Sequence, residues 1–347
     1  MQTKKFPTEF KEFSRMYTDI VYNELIKNFP QNVPKNFSEM LHSYTDRKGQ
    51  YRRPAYLLAW TLLFNGNIKD AILPAAVQQL SEDYFLMHDD WMDGNRLRRG
   101  YPTAHVIYGP VYAVLAGDTL HAILWKMLYK GVEKLDIDLR SRYIDKFADM
   151  MVMTHIGQYI DLHMTNDIKD ITKFTKKDYY KSIHAKSAYY SIYGPMQCGA
   201  IIAGAKSGDV DKIAEYGIPI GNAFQIKDDI LDCISNEKEL GKSIGNDVKQ
   251  NTKTLILWHA VQNASSASLK RLKQIYEKSP ESKSKSDIKF VLDSFEELGS
   301  IKFAEMEANM LVNKALKKFG EISSNIPETD AKKLAISAIS HAAIRKK

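Results

Sequence analysis

The chain contains little cysteine, glycine or proline. Among its 347 residues there are 2 cysteines, 18 glycines and 11 prolines. The cysteines, Cys198 and Cys233, lie far apart and form no CxxC motif. This excludes a disulfide scaffold and a cysteine-rich zinc site, and it fits a reducing cytosol. The low content of glycine and proline favours long helices over a turn-rich β protein.

The sequence also lacks a long hydrophobic segment. Residues 1–7 contain no apolar stretch of the kind found in signal peptides. The longest largely apolar segment, residues 56–64, is too short to cross a bilayer. We therefore expect a cytoplasmic protein with no transmembrane segment.

Several common catalytic motifs are missing as well. There is no GxGxxG, HExxH or GxSxG pattern, and the Gly-Lys-Ser sequence at residues 241–243 lacks the upstream glycine of a phosphate-binding loop. These absences weigh against dinucleotide-binding enzymes, zinc proteases, serine hydrolases of the GxSxG type and P-loop NTPases.

What the sequence does contain is helical periodicity. Val77, Leu80, Tyr84, Met87 and Trp91 recur at steps of three and four residues, which predicts one apolar face of an α-helix. No series of alternating strands and no βαβ pattern is present, and no change in composition divides the chain. We expect an all-α protein of ten or more helices, folded as a single large domain over residues 1–347.

Two clusters of aspartates stand out within these helical segments. They read Asp-Asp-Trp-Met-Asp at residues 89–93 and Asp-Asp-Ile-Leu-Asp at residues 228–232. In DDxxD the first and last carboxylates share one helix face, and the like charges destabilise the helix unless a cation binds. Mg²⁺ binds through one or two carboxylates together with substrate phosphates and water. One such cluster is most often a solvated helix end, but two copies on apolar helices predict a Mg²⁺ site that clamps a diphosphate.

Basic residues accompany both clusters, and the net charge of the chain is +7, which suits anionic ligands. Guanidinium groups bind phosphate oxygens in pairs, whereas a lysine acts as a point charge. The basic residues nearest the clusters in sequence are Arg96, Arg98, Arg99, Lys186, Lys242, Lys249 and Lys253.

Together these segments resemble the trans-isoprenyl diphosphate synthase family, also called polyprenyl synthetases, in the farnesyl and geranylgeranyl diphosphate synthase group. The matching segments are residues 88–93, 97–105, 116–118, 157–161, 186–190, 224–232 and 241–247. The resemblance implies a helical bundle around a deep central cavity, usually in a homodimer. It implies a short-chain prenyltransferase that condenses isopentenyl diphosphate with an allylic diphosphate to a C15 or C20 product.

The resemblance also implies the roles of individual residues. Three Mg²⁺ ions per active site would be bound by Asp89, Asp90, Asp93, Asp228, Asp229 and Asp232. The allylic diphosphate would contact Arg98, Lys186, Ser187, Gln225 and Lys242, with Ser187 where threonine is usual. The residues closest to the chemistry would be Asp89, Asp90, Lys186, Asp228 and Lys242.

The chain departs from the family at the site for isopentenyl diphosphate. The family has a GGKxxRP-like motif, and here residues 48–54 read KGQYRRP, so that Arg53 is kept but Gln50 replaces lysine. Glu82 stands where the family has histidine or glutamine, and Arg99 is retained. A carboxylate there repels a diphosphate unless it is paired or protonated, and we predict that Glu82 pairs with Arg52, Arg53 or Lys48.

There are two alternatives to a prenyltransferase that elongates its substrate. The changes at Gln50 and Glu82 favour a class I terpene synthase, which ionises a prenyl diphosphate without elongating it. The net charge and the basic residues 345–347 favour a non-catalytic binder of anions or nucleic acid. The aspartate clusters argue against the second alternative, because they repel a phosphate backbone unless metals intervene, and we expect no nucleic-acid partner.

Product length has its own candidate residues. Tyr84 and Phe85 lie five and four residues before Asp89, one helical turn below the predicted metal site. The two aromatic rings are predicted to form the floor that stops a growing prenyl tail. The alternative is that they are ordinary core residues, because the same positions are buried in any case.

Overall fold

A computed structural model describes residues 6–234 and 244–343 of the chain. Its α-helices, in chain order, are α1 Phe10–Ile26, α2 Lys35–Thr45, α3 Arg52–Leu63, α4 Ile68–Met92, α5 Ala104–Tyr108, α6 Pro110–Gly131, α7 Ile137–Asn166, α8 Lys176–Ile183, α9 Gly194–Ile202, α10 Ser207–Ile234, α11 Asn246–Lys249, α12 Leu255–Asn263, α13 Ser266–Tyr276, α14 Lys285–Glu297, α15 Ser300–Ile322 and α16 Asp330–Ala343. The prediction of an all-α fold is confirmed. Lys242 lies outside the described residues.

Three short elements interrupt the α-helices. Strands β1 Leu97–Arg98 and β2 Tyr101–Pro102 form a small antiparallel hairpin, in which Leu97 pairs with Pro102. A π-helix, His184–Tyr193, connects α8 to α9, and a 3₁₀ turn, Pro280–Ser282, precedes α14.

The chain folds into two compact units. Unit 1 comprises Met1–Asp149, Ser191–Ala214 and Ile322–His341, and unit 2 comprises Met150–Tyr190, Glu215–Glu321 and Ala342–Lys347. Both units are built from separate stretches of chain. A single domain over residues 1–347 stays a prediction.

The core of unit 1 is formed by α3, α4, α6 and α9. Helix α3 is buried along almost its whole length and packs on both α4 and α9, while α4 packs on α6. The largest fully buried side chain of this core is that of Trp60. This arrangement gives α4, which carries the first aspartate cluster, neighbours on several sides.

Helix α4 differs from its predicted form at its C-terminal end. Its predicted apolar face is buried from Val77 to Met87, but Trp91 is 46% exposed. The side chain of Asn67 accepts a hydrogen bond from the backbone N–H of Lys69 and so caps the start of the helix. Trp91 lies in the last turn, where the packing against other helices ends.

Unit 2 has a hydrophobic core of its own. Buried residues of α8, α10, α12, α13, α14 and α15 form one contiguous cluster, with Tyr276 and Phe295 among its largest side chains. Helix α10, which carries the second aspartate cluster, buries Ala223, Ile226 and Ile230 in this cluster. The cluster therefore fixes the orientation of α10 within unit 2.

Within the described ranges, none of the helices is both long and apolar enough to span a lipid bilayer.

Candidate active site

The first aspartate cluster occupies the last turn of α4. Asp89 and Asp93 are partly exposed, whereas Asp90 is fully buried. The Tyr44 hydroxyl donates a hydrogen bond to Oδ2 of Asp90 at 2.7 Å, and the Asn95 amide donates to Oδ1 at 3.3 Å. Three residues separate the two partly exposed carboxylates, so they lie on one face of the helix.

Arg98 is a further partner of Asp90. It lies in strand β1 of the hairpin that follows α4, and its Nε donates to both carboxylate oxygens, at 3.1 and 3.0 Å. Its Nη2 also pairs with Oδ1 of Asp90. The predicted diphosphate ligand Arg98 is therefore held in place by the middle aspartate, while its side chain keeps 29% exposure.

The second cluster, on α10, repeats the tyrosine and amide contacts to the middle aspartate. The Tyr179 hydroxyl donates to Oδ2 of Asp229 at 2.7 Å, and the Gln225 amide donates to Oδ1 at 2.9 Å. Asp229 and Asp232 are buried and Asp228 is partly exposed. Burial raises the pKa of Asp229 to about 7, although the hydrogen bonds from Gln225 and Tyr179 lower it.

Each middle aspartate is thus held by a buried tyrosine at the same distance. Tyr44 precedes Asp90 by 46 residues and Tyr179 precedes Asp229 by 50. Neither tyrosine is predicted from the sequence, because a hydrogen bond over such a separation leaves no local pattern. The similar sequence distance from each tyrosine to its aspartate is the signal by which the two could have been found.

The predicted ligands of the allylic diphosphate in unit 2 lie on the π-helix and on α10. The Ser187 hydroxyl donates to Oε1 of Gln225 at 2.7 Å, and Lys186 Nζ pairs with Oδ2 of Asp161, on α7, at 2.8 Å. Gln225 in turn donates to Asp229. The structure therefore joins Ser187, Gln225 and the second aspartate cluster in one hydrogen-bonded chain.

Two glycines let the π-helix approach its neighbours closely. A Cβ atom at Gly157, on α7, would lie 2.3 Å from the backbone nitrogen of Lys186. A Cβ at Gly221, on α10, would lie 2.3 Å from the Cβ of Ala188. The backbone that carries Lys186 and Ser187 is therefore positioned by direct contact with two helices.

In unit 1, Glu82 lies between two arginines. Its Oε2 is 2.9 Å from Nη1 of Arg53, and its Oε1 is 3.3 Å from Nη2 of Arg99. Burial alone would raise the pKa of Glu82, but Arg53 and Arg99 outweigh it, so that the pKa is lower than usual. Lys48, a predicted alternative partner, instead pairs with Asp19 at 2.8 Å.

Gln50 precedes α3 in the loop beside these arginines. Its side chain is exposed, and its carbonyl accepts a hydrogen bond from the Ser14 hydroxyl at 2.7 Å. A Cβ at the preceding Gly49 would lie 2.4 Å from Nη2 of Arg99, so the backbone of this loop lies directly against that guanidinium.

The two aromatic residues before Asp89 are placed differently from each other. Tyr84 is 4% exposed and stacks on His121 of α6, with ring centroids 4.8 Å apart and an interplanar angle of 17°. Its ring also contacts Phe85 at 4.7 Å and His88 at 5.1 Å. Phe85 is partly exposed. Tyr84 thus contacts Phe85 from a buried position, and Phe85 is the more exposed of the two residues.

Comparison with known proteins decides the family. The model of the family described as polyprenyl synthetase matches residues 34–294. The chain belongs to this family. A geranylgeranyl diphosphate synthase of Sulfolobus acidocaldarius is 33% identical over 248 residues, which cover 71% of this chain and 73% of that protein.

Two further comparisons extend along more of the chain. A geranylfarnesyl diphosphate synthase of Aeropyrum pernix is 30% identical over 315 residues, covering 90% of this chain and 94% of the relative. The crystal structure of a geranylgeranyl pyrophosphate synthetase from Pyrococcus horikoshii superposes with a TM-score of 0.84 at 27% identity. It covers 97% of this chain and 99% of the other, so the polyprenyl synthetase fold extends over nearly the whole chain.

Polyprenyl synthetases use divalent metal ions to bind their diphosphate substrates. In residues 6–234 and 244–343, no group of three or more histidine, cysteine, aspartate or glutamate side chains is placed to hold a metal by itself. The partly exposed Asp89, Asp93 and Asp228 provide only oxygen donors, which hard cations prefer. In each unit, the partly exposed carboxylates fit a Mg²⁺ ion that takes its remaining ligands from substrate phosphates and water.

Proposed function

We propose that the chain is a short-chain trans-prenyltransferase that condenses isopentenyl diphosphate with an allylic diphosphate to a C15 or C20 diphosphate. Its family membership and its geranylgeranyl and geranylfarnesyl diphosphate synthase relatives support the reaction class. The observation that carries the assignment of the site is the shared construction of the two clusters. In each, a tyrosine holds the middle aspartate and the first carboxylate remains partly exposed.

In this mechanism Arg98, Lys186 and Gln225 bind and orient the allylic diphosphate. The outer aspartates of the clusters would hold Mg²⁺, and the ion, when bound, would supply the charge that neutralises the departing diphosphate. Lys186 and Arg98 are each held by an ion pair within their own unit, so each would bring a positive charge that is already held in place. The bond between the allylic carbon and the diphosphate oxygen breaks, the double bond of isopentenyl diphosphate attacks the allylic carbon, and a proton is lost from the new chain.

The positions of Asp161 and Ser187 suggest how these groups are kept in place. Asp161 holds the ammonium of Lys186 at 2.8 Å, and the Ser187 hydroxyl fixes the Gln225 amide by donating to its oxygen. The Gln225 NH₂ group is thereby directed to Asp229. Three Mg²⁺ ions per active site, a homodimer and a cytoplasmic location complete the proposal.

One incubation tests the reaction. The protein is supplied with Mg²⁺, radiolabelled isopentenyl diphosphate and, separately, dimethylallyl, geranyl or farnesyl diphosphate, and the dephosphorylated products are sized by chromatography. We expect label in C15 or C20 alcohols, and none when EDTA replaces Mg²⁺. Consumption of the allylic substrate with no label incorporated would contradict elongation and favour the class I terpene synthase, for which the Glu82 carboxylate between Arg53 and Arg99 is the supporting observation.

A further inference from the structure

Glu82 and the first aspartate cluster lie on the same side of one helix. Glu82 precedes Asp89 by seven residues on α4. Seven residues make about two helical turns and a rise of roughly 10 Å, so the two carboxylates project from nearly the same face. Arg53 and Arg99 therefore form a second cationic position about two turns along α4 from the predicted metal site.

The contacts at this position are those of an occupied anion site. One carboxylate oxygen of Glu82 binds Arg53 at 2.9 Å, and the other binds Arg99 at 3.3 Å. The side chain of Glu82 is 14% exposed, and those of the arginines are 20% and 22% exposed. A single carboxylate that bridges two guanidinium groups occupies the place of an anionic ligand.

Arg99 has binding capacity that Glu82 does not use. Its Nη1 is buried and has no hydrogen-bond partner among the described residues. A buried donor without an acceptor is costly, and such donors point to a missing ligand or water. An anion larger than a carboxylate, with more oxygens, would provide the acceptor.

The backbone around the site is strained. Lys48 and Tyr51 have positive φ angles of 41° and 50°, whereas the positive φ of Arg99, 55°, belongs to the two-residue turn of the β1–β2 hairpin. Non-glycine residues rarely adopt this conformation, and such strain is concentrated at ligand-binding sites. Gly49 lies between the first two and brings the loop backbone against Arg99. The backbone of this loop thus packs directly against the guanidinium group of Arg99.

We propose that Glu82 is a built-in anion that occupies the acceptor-diphosphate site of this chain, so that isopentenyl diphosphate binds Arg53 and Arg99 only by displacing the Glu82 carboxylate. This inference rests on the proposed function for the identity of the acceptor. It assigns Glu82 as a specificity-determining residue that weakens binding of the acceptor and leaves the allylic substrate unaffected.

The first test measures binding without turnover. Inorganic pyrophosphate is titrated calorimetrically into the wild-type protein and the Glu82→Gln variant in Mg²⁺-free buffer that contains EDTA. Removing one negative charge beside two arginines should lower the Kd by about tenfold or more, which corresponds to about 1.4 kcal/mol. The gain should disappear when Arg99→Gln is added. Glu24→Gln, which removes a partly exposed carboxylate paired with Lys27, is the matched control.

The second test uses the reaction. In Glu82→Gln the KM for isopentenyl diphosphate should fall by about tenfold, and the KM for the allylic substrate should change by less than about twofold. An unchanged or weaker affinity for pyrophosphate in a folded Glu82→Gln protein overturns the inference. If that variant does not fold, Glu82→Asp retains the charge but shortens the reach, so it should tighten pyrophosphate binding by a smaller factor. Unchanged or weaker binding in that variant likewise overturns the inference.

The two proposals fail in different ways. Tighter pyrophosphate binding in Glu82→Gln, with no isopentenyl diphosphate consumed by either protein, supports the displaced-anion site and contradicts elongation. Consumption of isopentenyl diphosphate by both proteins, with the same KM and the same affinity for pyrophosphate, supports elongation and overturns the role of Glu82.

Discussion

Replacing Phe85 by alanine should lengthen the product. Phe85 lies one helical turn before Asp89, and it is the more accessible of the two predicted floor residues. The change removes a six-carbon ring, and each round of condensation adds five carbons. We therefore expect products longer by about one isoprene unit from the same primers, and by about two units when Tyr84→Ala is added.

The two substitutions should differ in their cost to stability. Tyr84 is 4% exposed and its ring contacts Phe85, His88 and His121, so Tyr84→Ala should lower the free energy of unfolding by roughly 3–5 kcal/mol. Phe85 is only partly buried, and its truncation should cost about half as much. Urea unfolding of each variant measures these losses.

The assay is chromatography of the dephosphorylated products from labelled isopentenyl diphosphate and farnesyl diphosphate. Phe37→Ala, which truncates a partly exposed phenylalanine on α2, is the matched control and should leave the product unchanged. A folded, active double variant with wild-type product length would refute the reasoning. Tyr84 and Phe85 would then be ordinary core residues.

Three further predictions follow from the carboxylates. Asp89→Ala and Asp228→Ala should each lower kcat by orders of magnitude with little change in melting temperature, and near-normal turnover at saturating Mg²⁺ would contradict the assignment of that cluster. Tyr44→Phe and Tyr179→Phe each remove a buried hydrogen bond to an aspartate, so each should cost about 1.5–3 kcal/mol in urea unfolding; a loss below about 0.5 kcal/mol in both would refute this. Burial raises the pKa of Asp83 from 3.8 to about 7. Between pH 3.8 and about 7 the folded protein therefore keeps a proton that the unfolded chain releases, and its free energy of unfolding falls as the pH rises toward 7. Melting temperatures from about pH 5 to pH 8 should show this fall in the wild type and a flatter profile in Asp83→Asn, and parallel profiles would contradict it.

The features that could be predicted from the sequence are those with local spacing. The helical class followed from steps of three and four, and the two DDxxD patterns lie, as predicted, at the ends of the helices α4 and α10. That Glu82 pairs with a basic residue also follows from charge, since an isolated buried carboxylate is too costly, but charge alone does not select Arg53 from among Arg52, Arg53 and Lys48.

The rest depends on contacts between distant parts of the chain. Neither tyrosine that holds a middle aspartate is close to it in sequence, and Arg99, the second partner of Glu82, comes from the hairpin region rather than from the arginine motif. The π-helix has no residue pattern that distinguishes it from an α-helix. Trp91 fits the spacing of the apolar residues on α4, but it is exposed because it lies in the last turn, beyond the part of the helix that packs against its neighbours.

Because of the close packing at Gly157 and Gly221, a single added methyl group at either residue would displace the π-helix. Alanine at Gly157 must move the backbone of Lys186, because a Cβ cannot stay 2.3 Å from its nitrogen. Alanine at Gly221 presses on Ala188 from a different helix. Both substitutions would therefore displace the backbone of the π-helix that carries Lys186 without altering its charge. The position of this ammonium group thus depends on two residues that have no side chain of their own.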